Sequence, residues 1–531
     1  MNWDEFYFLS HVHTFLRQEL TAIFQMAHVH LFRWLPTVME DEMTQIVAAR
    51  SVMMVLFLAT VVLIAKLASR WSSSSAAWIA PLCYLAASPV LRHGSSFRAD
   101  SLLAPLTVGV LILLTRQRPS RSDTIFAGVL LGAALAVTVK AVLIFPLLVM
   151  TVLLDRAGSE SSVRARLVTA GERLLLLGSV AAASAGVLLT LHAATLPDAP
   201  DQTVQDFATN AARSTLLVTP FFPRWDYFRL TLDADWVTWL LISAGAVAAV
   251  ARRSAAAVCA LSLLPLLFYR NSFPYYYVVM LAPAAVLAAV GVDALRSLAV
   301  RGPSGGQGTW IPFAVSIPLA LQAGLNLYEL RHDDQAHQRQ LISAVHEILP
   351  RPVNYIDHSG MIASFRKVNF FMSTWGLETY RDRGSSFMRE TITRDRAPLL
   401  LVNQSVLDPA SPRFLELLPE DRRLIEQYYL PYWGPIRVAG AETELLSPGG
   451  TVRLSVPFSG RYRLEADGPV LINGELRDDG AIVDIPESAN PSPVTVTAIA
   501  PGATTARLLW AEAQPPPSTT WPPFARIYTG L

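Results

Sequence analysis

Only two cysteines, Cys83 and Cys259, occur in 531 residues, and both sit inside apolar runs. That placement argues against a disulfide framework or a Cys-based metal site; it describes small buried hydrophobes and leaves the redox compartment open. An excess of either charge is missing too, because 43 Lys and Arg meet 42 Asp and Glu. No global basic field exists to hold nucleic acid, so any charge effect is local. A Walker loop, a Gly-x-Ser-x-Gly elbow, a dinucleotide fingerprint and a repeat of solenoid length are also absent.

Apolar sequence is abundant. The chain is 52% hydrophobic with a mean hydropathy of +0.36, far above a soluble average, and the excess calls for lipid. Apolar runs at 47–69, 75–91, 101–115, 124–139, 141–154, 174–196, 234–251, 254–269, 276–295 and 309–326 make about ten candidate spans. Lys66, Arg70, Arg116, Arg118, Arg121, Arg156, Arg164, Arg166, Arg173, Arg252, Arg253, Arg296 and Arg301 fall between them on one side. By the positive-inside rule that side is cytoplasmic. The segment before residue 46, the 92–100 and 197–233 loops and everything after about 327 are then external. An external start at Met1 without a signal peptide leads to the expectation of one further helix upstream, the alternative being unaided translocation of a short tail.

The external segment 1–45 carries apolar residues at Leu20, Ile23, Phe24, Ala27, Leu31, Trp34 and Leu35, a spacing that predicts an amphipathic helix lying in the membrane interface. His11, His13, His28 and His30 form two His-x-His pairs, but alternate residues on a helix point apart, so neither makes a ready chelate. Asp4 and Glu5 are adjacent acids at the outer boundary, where a carboxylate can serve as general base; the same pair also describes a solvated helix cap.

Further charges converge on the external face. Arg92, His93, Arg98 and Asp100 crowd one short loop, Lys140 sits where two apolar runs meet, and Arg270 precedes Ser272-Phe273-Pro274-Tyr275-Tyr276-Tyr277. Singly, each base reads equally as a snorkelling side chain. Together, external positives against the topology bias point to an anionic ligand such as a lipid phosphate. Tyr275 and Tyr276 read either as an interfacial aromatic belt or as a lining for lipid or sugar.

The Asp4-Glu5 pair with its following segment, the Arg50-containing start of the next helix, Arg98-x-Asp100, Lys140 and Phe273-Pro274-Tyr275-Tyr276 together resemble the GT-C superfamily of membrane glycosyltransferases, especially bacterial relatives of the dolichyl-phosphate-mannose protein mannosyltransferases. The likeness covers roughly residues 1–330 and rests on the order of the motifs. It implies inverting transfer of a sugar from a polyprenyl-phosphate carrier to an extracytoplasmic glycan, lipid or protein, with Asp4 as base and Glu5 orienting the acceptor or pairing with Arg98. The residues expected to bind substrate are Arg92, His93, Arg98, Asp100, Lys140, Arg270, Tyr275 and Tyr276, and among them Arg98, Lys140 and Arg270 are the cations expected near the carrier, since each lies at an external helix end. In that superfamily the acidic motif follows a first transmembrane helix, which this sequence lacks. No cofactor is implied, and a divalent metal, though compatible, is not indicated.

The expected architecture is a polytopic α-helical membrane domain over 1–329, an extracytoplasmic α/β module over 330–445 and a β-sandwich with a Pro-rich tail over 446–531. The module is read from apolar segments at Val353–Ile356 and Leu399–Val402 alternating with a helix-like stretch at Phe414–Tyr429. The sandwich is read from period-two runs at Val452/Leu454/Val456, Tyr462/Leu464, Val470/Ile472, Val483/Ile485, Val494/Val496 and Leu508/Trp510. Localisation in a bacterial inner membrane follows as an expectation. The competing readings are a transporter or flippase, which should place polar or broken segments near midplane, and an inactive scaffold presenting the external domain. The helix centres read as nearly clean, which favours the enzyme.

Overall fold

The computed structural model describes residues 1–154, 163–197, 221–301, 307–331, 335–444, 449–487, 491–499, 505–522 and 525–528. Arg156, Arg213, most of the 197–233 loop and Pro523 lie outside the described residues. The chain divides into two compact units. One comprises Met1–His13, Asp41–Met43 and Asp334–Gly530; the other comprises Thr14–Glu40 and Thr44–Asp333.

In the second unit each apolar run read from the sequence is helical, although several are broken into short or 3-10 pieces. Among the described residues Glu42–Ala68, Val163–Ala193, Pro274–Val300 and Gly308–Leu330 are long and apolar enough to cross a bilayer, and the bent pair Trp225–Ala234 and Trp236–Ala251 adds a fifth if it counts as one span. The 27 residues of Glu42–Ala68 extend about 40 Å, more than the ~30 Å hydrocarbon core. Shorter apolar segments occupy Ser74–Ala86, Ala99–Leu114, Val139–Leu153 and Ala255–Phe268. The chain is an integral membrane protein.

Burial sorts these helices. Pro274–Val300 is 89% buried over its most apolar stretch and forms the central post, whereas Val163–Ala193 is 11% and Gly308–Leu330 22% buried. Their outer faces expose Leu175, Val187, Leu191, Leu321 and Leu325, surface that lipid covers without cost. Glycines set the close crossings. A Cβ at Gly245 would stand 1.9 Å from the Leu287 carbonyl oxygen, and Gly291 meets the Gly245 backbone. On the helix Arg121–Val137, Gly128 and Gly132 lie against Val180, Ala181 and Ser184 of Val163–Ala193, a small-xxx-small contact.

Two sequence expectations are corrected here. The apolar spacing from Leu20 to Leu35 does not make one helix: only Val29–Phe32 and Leu35–Val38 are helical. Gln18 and Gln25 take positive φ values of 59° and 64° and break the run, and the buried residues are Leu20, Met26, Val29, Phe32 and Leu35 rather than Phe24, Leu31 and Trp34. Nor are polar groups confined to helix ends. Asp235 stands at the 99° bend between Trp225–Ala234 and Trp236–Ala251. Its carboxylate accepts from the Ser88 amide (3.0 Å), Ser88 Oγ (2.8 Å) and Asn326 Nδ2 (2.9 Å). Gln322 Nε2 donates to the Ala86 carbonyl and to Thr238 Oγ1. Helix breaks at Ala87 and Asp235 free backbone groups that have no water to turn to, and these side chains satisfy them.

The first unit begins with the helix Trp3–Leu16, whose first residues through His13 belong to it. Its sheet-rich part starts with β1 (Asn354–Ile356), parallel to both β2 (Arg366–Lys367) and β3 (Leu399–Leu401). The chain continues through β4 (Tyr429–Trp433), β5 (Ile436–Glu444), β6 (Thr451–Val456), β7 (Gly460–Ala466), β8 (Val470–Ile472), β9 (Glu475–Arg477), β10 (Ile482–Ile485), β11 (Ser492–Ala498) and β12 (Thr505–Trp510). One sheet runs β10-β7-β12-β5-β3-β1-β2 with β4 also on β5, and a second runs β6-β11-β8-β9. Tyr462, Leu464, Val483 and Leu508 of the first sheet share a core with Val456, Ile472, Val494 and Val496 of the second, the interleaving of a sandwich. The first half of β5 pairs with β3 and the second half with β12. A single strand therefore serves both the α/β layer and the sandwich.

Candidate functional site

Two of the basic residues singled out in the sequence, Arg98 and Lys140, meet one carboxylate in the membrane unit, that of Asp100. Arg98 is extended (φ −143°, ψ 149°) immediately before the helix Ala99–Leu114, which puts Asp100 in the first turn, where a negative charge suits the helix dipole. Lys140 begins a 3-10 segment, Val139–Ile144, whose preceding Thr138 hydroxyl accepts from the Lys140 amide. Lys140 Nζ donates to both Asp100 oxygens at 2.9 and 3.3 Å, and Arg98 Nη2 lies 3.4 Å from Asp100 Oδ2.

Aromatic faces complete the cluster. Proline at 274 starts the 3-10 turn Pro274–Tyr276. The Arg98 guanidinium lies 3.6 Å from the Tyr275 ring centroid and Lys140 Nζ 4.9 Å from it, while Tyr276 Oη donates to the Lys140 carbonyl at 3.4 Å. The His93 ring stands edge-on to Tyr275 at 6.4 Å. Arg98 and Asp100 are only 3% and 2% exposed, so they are packed groups rather than snorkelling ones. Arg98 and Lys140 share the Asp100 carboxylate.

Arg92 precedes His93 in the short helix Ser88–His93. Arg224 Nε donates to the Arg270 carbonyl, and its guanidinium covers the Phe273 ring at 4.3 Å. Asp4 and Glu5 belong to the other unit, in the first turn of Trp3–Leu16. Both are buried, at 7% and 0% exposure, so the reading as a solvated cap does not hold. Glu5 Oε2 accepts from the Asn2 amide at 3.0 Å, and Asn2 Oδ1 accepts from the Asp4 amide at 3.0 Å. Glu5 thus turns back on its own helix start. The His-x-His pairs behave separately: His11 Nδ1 donates to the Tyr7 carbonyl at 2.7 Å, and burial pushes its ring down to about 4. Among the described residues no three His, Cys, Asp or Glu side chains gather as a metal site.

Sequence reasoning missed a buried polar cluster at the carboxyl ends of the parallel strands, where α/β proteins often bind ligands. Lys367 Nζ donates to the Asp357 and Phe370 carbonyls and to Asn369 Oδ1, and lies 3.4 Å from Asp357 Oδ1. The Asp357 carboxylate also accepts from the Gly360 and Met361 amides and from Asn403 Nδ2. Burial pulls the Lys367 ammonium down to about 8 against the opposing pull of Asp357. These groups satisfy one another and pin the strand ends. The available signal was the polar run Asp357-His358-Ser359-Gly360 directly after an apolar strand.

No family model matches the chain, and no curated protein does. Solved structures do. ArnT from Cupriavidus metallidurans bound to undecaprenyl phosphate superposes with a TM-score of 0.52 at 16% identity, over 75% of this chain and 88% of that one. The apo oligosaccharyltransferase of Archaeoglobus fulgidus superposes with a TM-score of 0.53 at 12% identity, over 90% of this chain and 71% of that one. The resemblance to GT-C membrane glycosyltransferases therefore holds at the level of fold.

Proposed function

We propose that the protein transfers a sugar from a polyprenyl-phosphate carrier to an extracytoplasmic acceptor. The observation that carries the reading is the pairing of Arg98 and Lys140 on Asp100 beneath the Tyr275 ring. A likeness in fold to ArnT, which was solved with undecaprenyl phosphate bound, supports a lipid-linked donor.

In the proposed reaction, an acceptor hydroxyl attacks the anomeric carbon with inversion and gives its proton to a base, the role that the resemblance gives Asp4. The carbon–oxygen bond to the carrier breaks, and Arg98 and Lys140 hold the departing phosphate. Glu5 positions the start of its helix. About ten spans, an external C-terminal unit and a bacterial inner membrane complete the proposal, consistent with the distribution of Lys and Arg. The acceptor is a glycan, lipid or protein.

Purified protein incubated with a panel of polyprenyl-phosphate sugars should release polyprenyl phosphate, detected by mass spectrometry, from one of them. No release across the panel, with the protein folded, would remove the proposal.

A further inference from the structure

We propose that the sheet-rich unit carries a binding site for a neutral saccharide, in the concavity bounded by Tyr432, Arg463, Glu465, Asp479, Arg507 and the Pro515–Pro516 segment. The concavity holds about 460 Å³, within the ~300–1,000 Å³ of small-ligand sites. It lies apart from the Asp100 cluster in sequence and in compact unit. It rests on the transferase reading only for the source of the saccharide.

The strands build it. Arg507 of β12 is the register partner of Glu465 of β7, and Arg463 precedes Glu465 by two residues, so all three share one face while Tyr462, Leu464 and Leu508 fill the core behind them. Arg507 Nη1 donates to Glu465 Oε2 at 3.2 Å, and Arg463 Nη2 lies 3.6 Å from Glu465 Oε1. The carboxylate is held between two guanidiniums.

β4 supplies the aromatic wall. Its pairing with β5 shifts register between Pro431 and Trp433, and such an irregularity re-aims the residue it contains. That residue is Tyr432, whose hydroxyl accepts from Arg463 Nη2 at 3.1 Å and donates to the Gln514 carbonyl at 2.7 Å. Asp479 is fixed by the Ala466 amide at 3.0 Å.

The chemistry selects the ligand class. Arg463 and Arg507 offset Glu465 and Asp479 in charge, and Glu442, 3.3 Å from Arg507 Nε, adds one acid, so the site offers no net positive charge to an anion. Planar donors and acceptors side by side match neighbouring sugar hydroxyls, each of which gives one hydrogen bond and takes another. The tyrosine ring and the two prolines match the apolar face of a sugar ring. A peptide would instead call for an apolar anchor pocket or an open strand edge.

The test is an array of neutral mono- to tetrasaccharides probed with the full-length protein in detergent, followed by calorimetry on the strongest hit. The expected result is a neutral glycan whose binding resists added salt and weakens by about tenfold or more in Glu465→Gln and in Asp479→Asn. Two variants are used because either one alone could unfold, and melting curves check both. The proposal is overturned if no glycan binds, if folded variants bind as the parent does, or if inorganic phosphate or a proline-rich peptide is the better ligand. Lys140→Met separates the two readings: it should abolish transfer yet leave glycan binding intact. Glycan binding in a protein that never transfers sugar would sink the transferase reading alone.

Discussion

Lys140 Nζ reaches Asp100 Oδ1 at 2.9 Å across 40 residues of sequence, and Arg98 shares the same carboxylate. One anion holds two cations beside the Tyr275 ring, and in the proposed function these are the cations that meet the donor phosphate.

Asp100→Asn should cost about 3 kcal/mol of stability, because it removes the carboxylate that the buried Arg98 and the partly buried Lys140 share. Added undecaprenyl phosphate should then raise the melting temperature of the variant more than that of the parent, since the lipid phosphate replaces the lost charge. Equal shifts in differential scanning fluorimetry would show that the lipid phosphate does not reach these cations.

Lys140→Met should weaken undecaprenyl-phosphate binding by about tenfold or more, the scale of a lost charge-assisted contact. Arg98→Ala should do the same, because its guanidinium meets the same carboxylate and the same ring. Calorimetry giving parental affinity in both variants would take the phosphate away from this cluster.

At the helix crossing, Gly245→Ala should destabilise the protein by about 1–3 kcal/mol, since backbone rather than a flexible side chain blocks the new methyl. Gly178→Ala, with nothing within 4 Å of the new atom, should leave stability unchanged or slightly improved. Comparable losses in the two variants would show that the Gly245 contact does not set the packing.

His346 Nε2 lies 3.1 Å from Glu42 Oε2, and Ser364 Oγ donates to the other oxygen at 2.6 Å. The hydrogen bond to Glu42 raises the imidazole above its ordinary 6.5. A group raised on folding lends stability that is complete below its unfolded pKa and fades as pH climbs through the folded one. The parent should therefore melt higher than His346→Gln below about pH 6.5 and lose that margin progressively above it. A margin independent of pH from acid to alkaline buffer would mean that the imidazolium contributes nothing.

Much of this arrangement was legible in the residues. The apolar runs are helical, and the period-two pairs from Val452 to Trp510 are strands, because long apolar runs and strict alternation each leave few other ways to bury side chains. The grouping of Arg98, Asp100 and Lys140 was legible as charges at the ends of successive apolar runs. The Leu20–Leu35 segment was misread because periodicity carries no record of a backbone broken by positive φ at Gln18 and Gln25. The Asp235 clasp was missed because it joins residues far apart in the chain, and the Lys367 cluster because Lys367 and Asn403 reach Asp357 from the ends of other strands. The sharing of β5 between two layers was hidden for the same reason: a strand's own pattern does not name its partners.

The most direct test of sugar transfer by this chain is single-turnover transfer by Asp4→Asn, with donor binding measured on the same preparation. The substitution is nearly isosteric, so a large loss would not come from packing. Transfer should fall by about 10²-fold or more while folding and donor affinity stay at parental values, the signature of a lost general base. Transfer at the parental rate would contradict the account, because the proton of the acceptor would then leave by another route.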